Sequence, residues 1–265
     1  KSGAMVFECH LGECGWLVSD ASWKAKRPNA WDHQSQDERD MVLEGVPMEI
    51  FDARLFPYDW KESMFDDRGW GWAQIIPAMM SGLYRSQPPT HPYGPLYPRP
   101  IGQLTGELRR PASFQVETLP ELNIQPGSSP MDRVDQALVL PRVGKPQEGF
   151  LPVQFYIPDR GGIWVKIDMG RIVSGFVQFE LQCPAGTVLD LSYTEEPIRL
   201  GIHFGRMRAG TRYIARGQHD QFGLFDSIGF RYAYLLVHSV PGDVTLRDFA
   251  VQEYQHPWSE PASFE

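Results

Sequence analysis

Two adjacent acidic pairs, Asp66-Asp67 and Glu195-Glu196, are the groups whose type and spacing bear most directly on chemistry. Carboxyl pairs serve general acid–base catalysis or, as oxygen donors, bind Ca²⁺. Glu195 and Glu196 close an alternating run, and neighbours on a strand point to opposite faces, so the two do not readily converge on one reacting bond. The pair reads either as a solvated strand end or as a carboxylate presented to a ligand or a neighbouring domain. Asp66 and Asp67 stand in Phe65-Asp-Asp-Arg-Gly-Trp70, a turn in which Asp side chains cap backbone N–H groups and the Trp anchors the return. A calcium site there is the alternative, but it needs about six to eight oxygens and only these two are in hand.

His203 sits in Gly201-Ile-His-Phe-Gly205, with Arg206 and Arg208 just beyond. A glycine-flanked loop with those groups either reaches a ligand or partner domain or is plain surface. Trp16, Trp31, Trp60, Trp72, Trp164 and Trp258 are either stacking platforms or core. Trp164 follows Gly161-Gly162 at the head of a strand, a position compatible with exposure. Cys9, Cys14 and Cys183 form no disulfide framework and have no second Cys/His pair at zinc spacing. They read as plain thiols, with a Cys9–Cys14 disulfide as the alternative. The sequence carries no Gly-x-Ser-x-Gly elbow, phosphate-binding loop or dinucleotide glycine fingerprint.

The elements that must position these groups are short strands. In Phe176–Cys183, residues Val177, Phe179, Leu181 and Cys183 point one way and the polar partners the other, the mark of a half-buried antiparallel strand. Pro184-Ala-Gly-Thr187 supplies a turn, and Leu189, Leu191 and Tyr193 continue the inward face. Tyr232–His238 and Thr245–Glu253 complete the set. With 25 Gly and 23 Pro among 265 residues, turns dominate, and the expected fold is all-β with two antiparallel β-sandwich domains. Prolines 88, 89, 92, 95, 98 and 100 imply an extended surface segment, and residues 120–150 read as a second irregular region. The expected division is 1–145 and 146–265.

The net charge of −8 lacks the clustered basic footprint of a nucleic-acid partner. No run approaches the roughly 18 apolar residues of a membrane span, and no apolar leader opens the chain, which leaves the compartment undetermined. The chain enters a strand almost at once, from which an N-terminus other than the natural one is expected.

Two successions of residues carry a family resemblance. The first runs through Ser19-Asp-Ala-Ser-Trp23, Glu49-Ile-Phe-Asp-Ala-Arg54, Trp60 and Phe65-Asp-Asp-Arg-Gly-Trp70. The second is the stretch from Gly175 to Glu196, then Arg212-Tyr-Ile-Ala-Arg-Gly217, Gly229-Phe-Arg-Tyr232 and Val240-Pro-Gly-Asp243. In this order they resemble the sandwiches that precede the catalytic barrel of bacterial α-L-rhamnosidases. The resemblance implies two jelly-roll sandwiches, galactose-binding-like and incomplete in the first part, concanavalin-like in the second. It also implies a parent enzyme that hydrolyses terminal α-L-rhamnosyl residues with inversion, using acids of an (α/α)6 barrel absent from this chain. No catalytic residue carries over. The partners implied are that barrel and a rhamnose-containing glycan, with Trp164, Glu195, Glu196, His203 and Arg206 as candidate contacts, and Asp66, Asp67 and Trp70 as turn residues. No cofactor is expected. A stand-alone carbohydrate-binding module and a structural interaction module are the alternatives.

Overall fold

The computed structural model describes residues 5, 7–32, 48–75, 100–125, 127–198 and 209–256. His203, Arg206, Arg208, Trp258 and the proline-rich stretch up to residue 99 lie outside them. In chain order the strands are β1 (Glu8–His10), β2 (Trp16–Val18), β3 (Lys24–Ala25), β4 (Met48–Asp52), β5 (Gly71–Trp72), β6 (Leu108–Arg109) and β7 (Ser113–Leu119). Helix α1 (Pro130–Leu138) follows, then β8 (Val143–Gly149), β9 (Val153–Ile157), β10 (Gly162–Gln182), β11 (Val188–Thr194), β12 (Ala209–Ile214), β13 (His219–Gly223), β14 (Ile228–His238) and β15 (Gly242–Glu253). Among the described residues, no helix is long and apolar enough to cross a membrane. The chain is all-β in character and divides into two compact units, residues 1–28 with 57–101, and residues 29–56 with 102–265.

The second unit is the larger sandwich, and β10 organises it. Its 21 residues cross from one layer to the other. Gly162–Asp168 pairs with β14 on one side and β7 on the other. Gly175–Gln182 pairs with β15, and Gln178–Gln182 also with β13. The register shifts between Asp168 and Val173, where Gly170 takes φ +78°. Gly175 pairs with both Ile228 and Glu253 at the crossing, and an added Cβ there would stand 2.1 Å from the Gln252 carbonyl oxygen. The backbones approach so closely that only glycine fits.

The core lies between the layers. Ile163, Val165 and Ile167 from the first half of β10 meet Val177, Phe179 and Leu181 from the second, with Leu189, Leu191 and Tyr193 of β11. The period-2 pattern read from the sequence selects Val177, Phe179, Leu181, Leu189, Leu191 and Tyr193, and Ile163, Val165 and Ile167 follow the same alternation. Trp164, Tyr232, Tyr234 and Leu236 face the other way and form a second apolar cluster with Val134 and Ala137 of α1.

Three features depart from the sequence-based expectation. Residues 120–150 are not irregular: they contain α1 and β8. Ser129 caps α1, its side chain accepting the Asp132 N–H at 3.1 Å, and Pro130 occupies the first turn, where its missing N–H costs nothing. Strand β4 joins the second unit, pairing parallel with β12 because Phe51 buries itself against Tyr213 and Phe222. Position 145/146 falls inside β8, so the compact units do not divide there.

The first unit contains, among the described residues, two small antiparallel ladders, β1 with β2 and β3 with β5. Between β3 and β5 in sequence runs a chain of turns: Trp60 N–H donates to the Pro57 carbonyl, Glu62 to Asp59, Phe65 to Glu62 and Trp70 to Asp67.

Candidate functional site

Those turns and the β3–β5 ladder build a pocket of about 390 Å³ within the first unit, lined by Trp23, Lys24, Trp60, Glu62, Ser63, Phe65, Asp67 and Trp70. Lys24 and Trp72 are cross-strand partners, which sets the Lys24 ammonium 5.4 Å from the Trp72 ring centre. The same ammonium pairs with Asp67 Oδ1 at 2.6 Å. Trp70 packs edge-on against Phe65 at 5.7 Å, half-buried. Asp66 faces elsewhere: it binds the Arg68 guanidinium at 2.7 and 2.8 Å and accepts the Arg68 N–H at 3.1 Å. The Arg68 hydrogen bonds hold the Asp66 carboxyl below its ordinary value. Both acids of this turn are therefore engaged by basic side chains, and among the described residues no group of three His, Cys, Asp or Glu side chains is arranged to hold a metal.

Of the sequence-derived contact residues of the second unit, the described ones, Trp164, Glu195 and Glu196, do not converge. Trp164 is buried, not exposed: only 3% of its surface is accessible. It tilts against Tyr234 at 5.7 Å, and the Arg142 guanidinium lies over its ring at 5.3 Å. The strand alternation sends it under α1, so neither face is open to a sugar. Glu195 and Glu196 are exposed just past β11, where the Thr194 hydroxyl donates to the Glu196 carbonyl at 2.6 Å. Cys9, Cys14 and Cys183 are free, and burial pushes the Cys183 thiol up to about 11.

Sequence reasoning missed a buried polar cluster. Asp190 on β11 is fully buried. Its Oδ1 accepts from Arg212 Nε at 2.6 Å, its Oδ2 from His238 Nε2 at 2.9 Å, and Arg133 of α1 stands 3.9 Å away. Arg212 Nη2 also donates to the Ser128 carbonyl ahead of α1, at 3.1 Å. With Nε2–H directed at the carboxylate, His238 Nδ1 accepts from the Ser239 hydroxyl at 2.7 Å. Ser239 is exposed and has φ +83°. The order Ser–His–Asp is that of a nucleophile relay. Here the carboxylate is already neutralised by Arg212, and neither the pocket above nor the groove below includes Ser239. The cluster ties α1 to the sheet. A visible signal existed: Asp190 interrupts an apolar strand, and its cross-strand partner is Arg212.

A shallow groove of about 410 Å³ lies at the uncovered end of the same face, lined by Gln115, Glu148, Phe150, Lys166 and Asp168 among others. Arg231 binds Asp168 at 3.0 and 3.2 Å, and both Arg231 and Lys166 sit over the Tyr232 ring.

No family model and no curated protein matches this chain. Solved structures do. The chain is similar to a GH78 family rhamnosidase of Bacillus sp. GL1, with a TM-score of 0.64 at 17% identity, over 95% of this chain and 44% of that one. An alpha-L-rhamnosidase from Dictyoglumus thermophilum aligns over 91% of this chain and 20% of its own, with TM-score 0.49 and 17% identity. One from Aspergillus terreus aligns over 92% and 22%, with TM-score 0.42 and 17% identity. The chain thus spans less than half of each of these proteins. It shares its fold with the aligned part of the Bacillus rhamnosidase.

Proposed function

We propose that this chain is the non-catalytic, two-sandwich portion of an α-L-rhamnosidase-like glycoside hydrolase. The observation that carries the proposal is the likeness of fold over 95% of this chain to part of a rhamnosidase chain. In this reading the first unit is the galactose-binding-like sandwich and the second the concanavalin-like one. The partner is an (α/α)6 barrel of the same protein, and the substrate a glycan ending in α-L-rhamnose. Glu195, Glu196, His203 and Arg206 are the proposed contacts to barrel or glycan.

Inverting hydrolysis needs one carboxylic acid to protonate the leaving oxygen and one carboxylate to activate water, about 6.5–9.5 Å apart across the bond. The buried carboxylates described are committed elsewhere. Asp190 is held by Arg212 and His238, Glu253 by Arg109 and Arg171, and Asp220 by Arg216. Chemistry is therefore assigned to the barrel, and the sandwiches position it. The test follows the anomeric protons by NMR while the product of the gene's complete reading frame acts on an aryl α-L-rhamnoside. Release of β-L-rhamnose first supports inversion; release of the α-anomer first, or no release, rejects the assignment.

A carbohydrate-binding module is the second reading. The aromatic pocket of the first unit favours it.

A further inference from the structure

We propose that the pocket formed by Trp23, Lys24, Trp60, Phe65, Asp67 and Trp70 binds a terminal pyranose of a neutral glycan. Five of the eight tryptophans, residues 16, 23, 60, 70 and 72, fall in the first unit. Trp60 is 43% and Trp72 66% exposed. Leaving large aromatic faces in water forfeits burial energy, and clustered exposure of this kind marks a binding surface. The volume of about 390 Å³ lies within the range of small-molecule sites.

The lining selects the ligand class. A pyranose has an apolar C–H face and a rim of hydroxyls. Trp60, Trp23 and Trp70 line the pocket with apolar aromatic surface, and the Lys24–Asp67 pair, with one ammonium N–H already given to Asp67 Oδ1, adds its remaining donors and acceptors. The pair cancels its own charge. An anionic ligand would meet Asp67 and Glu62, and a cationic one would compete with Lys24 for Asp67, so a neutral polyol fits best. The turns fix the wall: the Trp60, Phe65 and Trp70 N–H groups each close one. Such preorganisation lowers the ordering cost of binding. The inference deepens the carbohydrate-binding reading and rests on it; it does not require the hydrolase reading.

The test uses the full chain. Methyl α-L-rhamnopyranoside, methyl β-D-galactopyranoside and methyl α-D-glucopyranoside are titrated separately to tens of millimolar, read by saturation-transfer NMR and tryptophan fluorescence. At least one should saturate. Trp60→Ala and Asp67→Asn should each weaken it at least tenfold. Trp16→Ala, a tryptophan outside the pocket, should leave affinity within twofold. Should Trp60→Ala lose its far-ultraviolet sheet signal, Trp60→Phe takes its place, with rescue of most of the affinity expected because a flat face remains. Absence of saturation with all three glycosides overturns the proposal, as does saturation indifferent to both pocket variants. Failure of the hydrolysis assay above would leave this binding intact, which separates the two claims.

Discussion

Replacing Asp190 by Asn should be among the most damaging near-isosteric changes in the second unit. The side chain keeps its size and loses its charge. Asp190 is fully buried and answers Arg212 at 2.6 Å and His238 at 2.9 Å, with Arg133 at 3.9 Å. Burial already lowers the Arg133 pKa, with Arg212 adding repulsion, and its Nε has no hydrogen-bond partner. Without the carboxylate, two half-sheltered guanidinium groups face each other beneath α1. Removing one side of a buried ion pair costs about 3–5 kcal/mol. For a domain of this size each kcal/mol moves Tm by about 2–4 °C, so a fall of roughly 6–20 °C is expected. Urea unfolding followed by circular dichroism gives the free energy directly. The double variant Asp190→Asn with Arg212→Met should lose less than the sum of the single variants, because the unpaired charge is gone. A loss under about 1 kcal/mol for Asp190→Asn, the scale of an exposed pair, would refute the claim that this cluster holds α1 on the sheet.

Trp164→Ala should destabilise the second unit by about 3–5 kcal/mol, the cost of truncating a buried Trp, and leave glycoside affinity unchanged. Thermal unfolding and the glycoside titration check the two halves of that statement. Gly175→Ala should cost about 1–3 kcal/mol or more from overpacking against Gln252, whereas Gly229→Ala, with nothing within 4 Å of the new Cβ, should be close to neutral. Burial raises the Asp168 carboxyl, but its hydrogen bonds to Arg231 and the Gly170 N–H outweigh that and hold it below its ordinary 3.8. A lowered folded-state pKa means stability present above the unfolded value and lost as pH falls through the folded one. Asp168→Asn should therefore show a shallower loss of stability than the parent below about pH 4, read by denaturant midpoints across that range.

Strands with clean alternation were legible. Val177, Phe179, Leu181 and Cys183 are all buried, as are Leu189, Leu191 and Tyr193. All but Cys183, one residue past β10, belong to a strand with one apolar face, where period alone fixes orientation. The run before Phe176 was not read as one strand with it; Gly170 and Gly175 interrupt its side-chain pattern, although β10 passes through both. Proline misled in the same way. Pro130 starts α1 behind its Ser129 cap, and Pro146 sits in β8, which among the described residues pairs only with β7 and so can spare an N–H. The parallel pairing of β4 with β12 joins residues about 160 apart in sequence and leaves no local signature. The candidate site was legible only in parts. Phe65-Asp-Asp-Arg-Gly-Trp70 stood out as a turn, but its meeting with Trp23, Lys24 and Trp60 depends on the fold. Trp164, singled out for exposure by its flanking glycines, is covered by α1, an element the sequence reading did not contain.

The proposed division of labour between sandwich and barrel is tested most directly by hydrolysis of a chromogenic aryl α-L-rhamnoside, run in parallel with the 265-residue chain and with the product of the gene's complete reading frame. Turnover by the complete product and none by the 265-residue chain is the expected result. Turnover by the 265-residue chain itself would place a working carboxylate pair inside these sandwiches, and absence of turnover in both would contradict the rhamnosidase assignment.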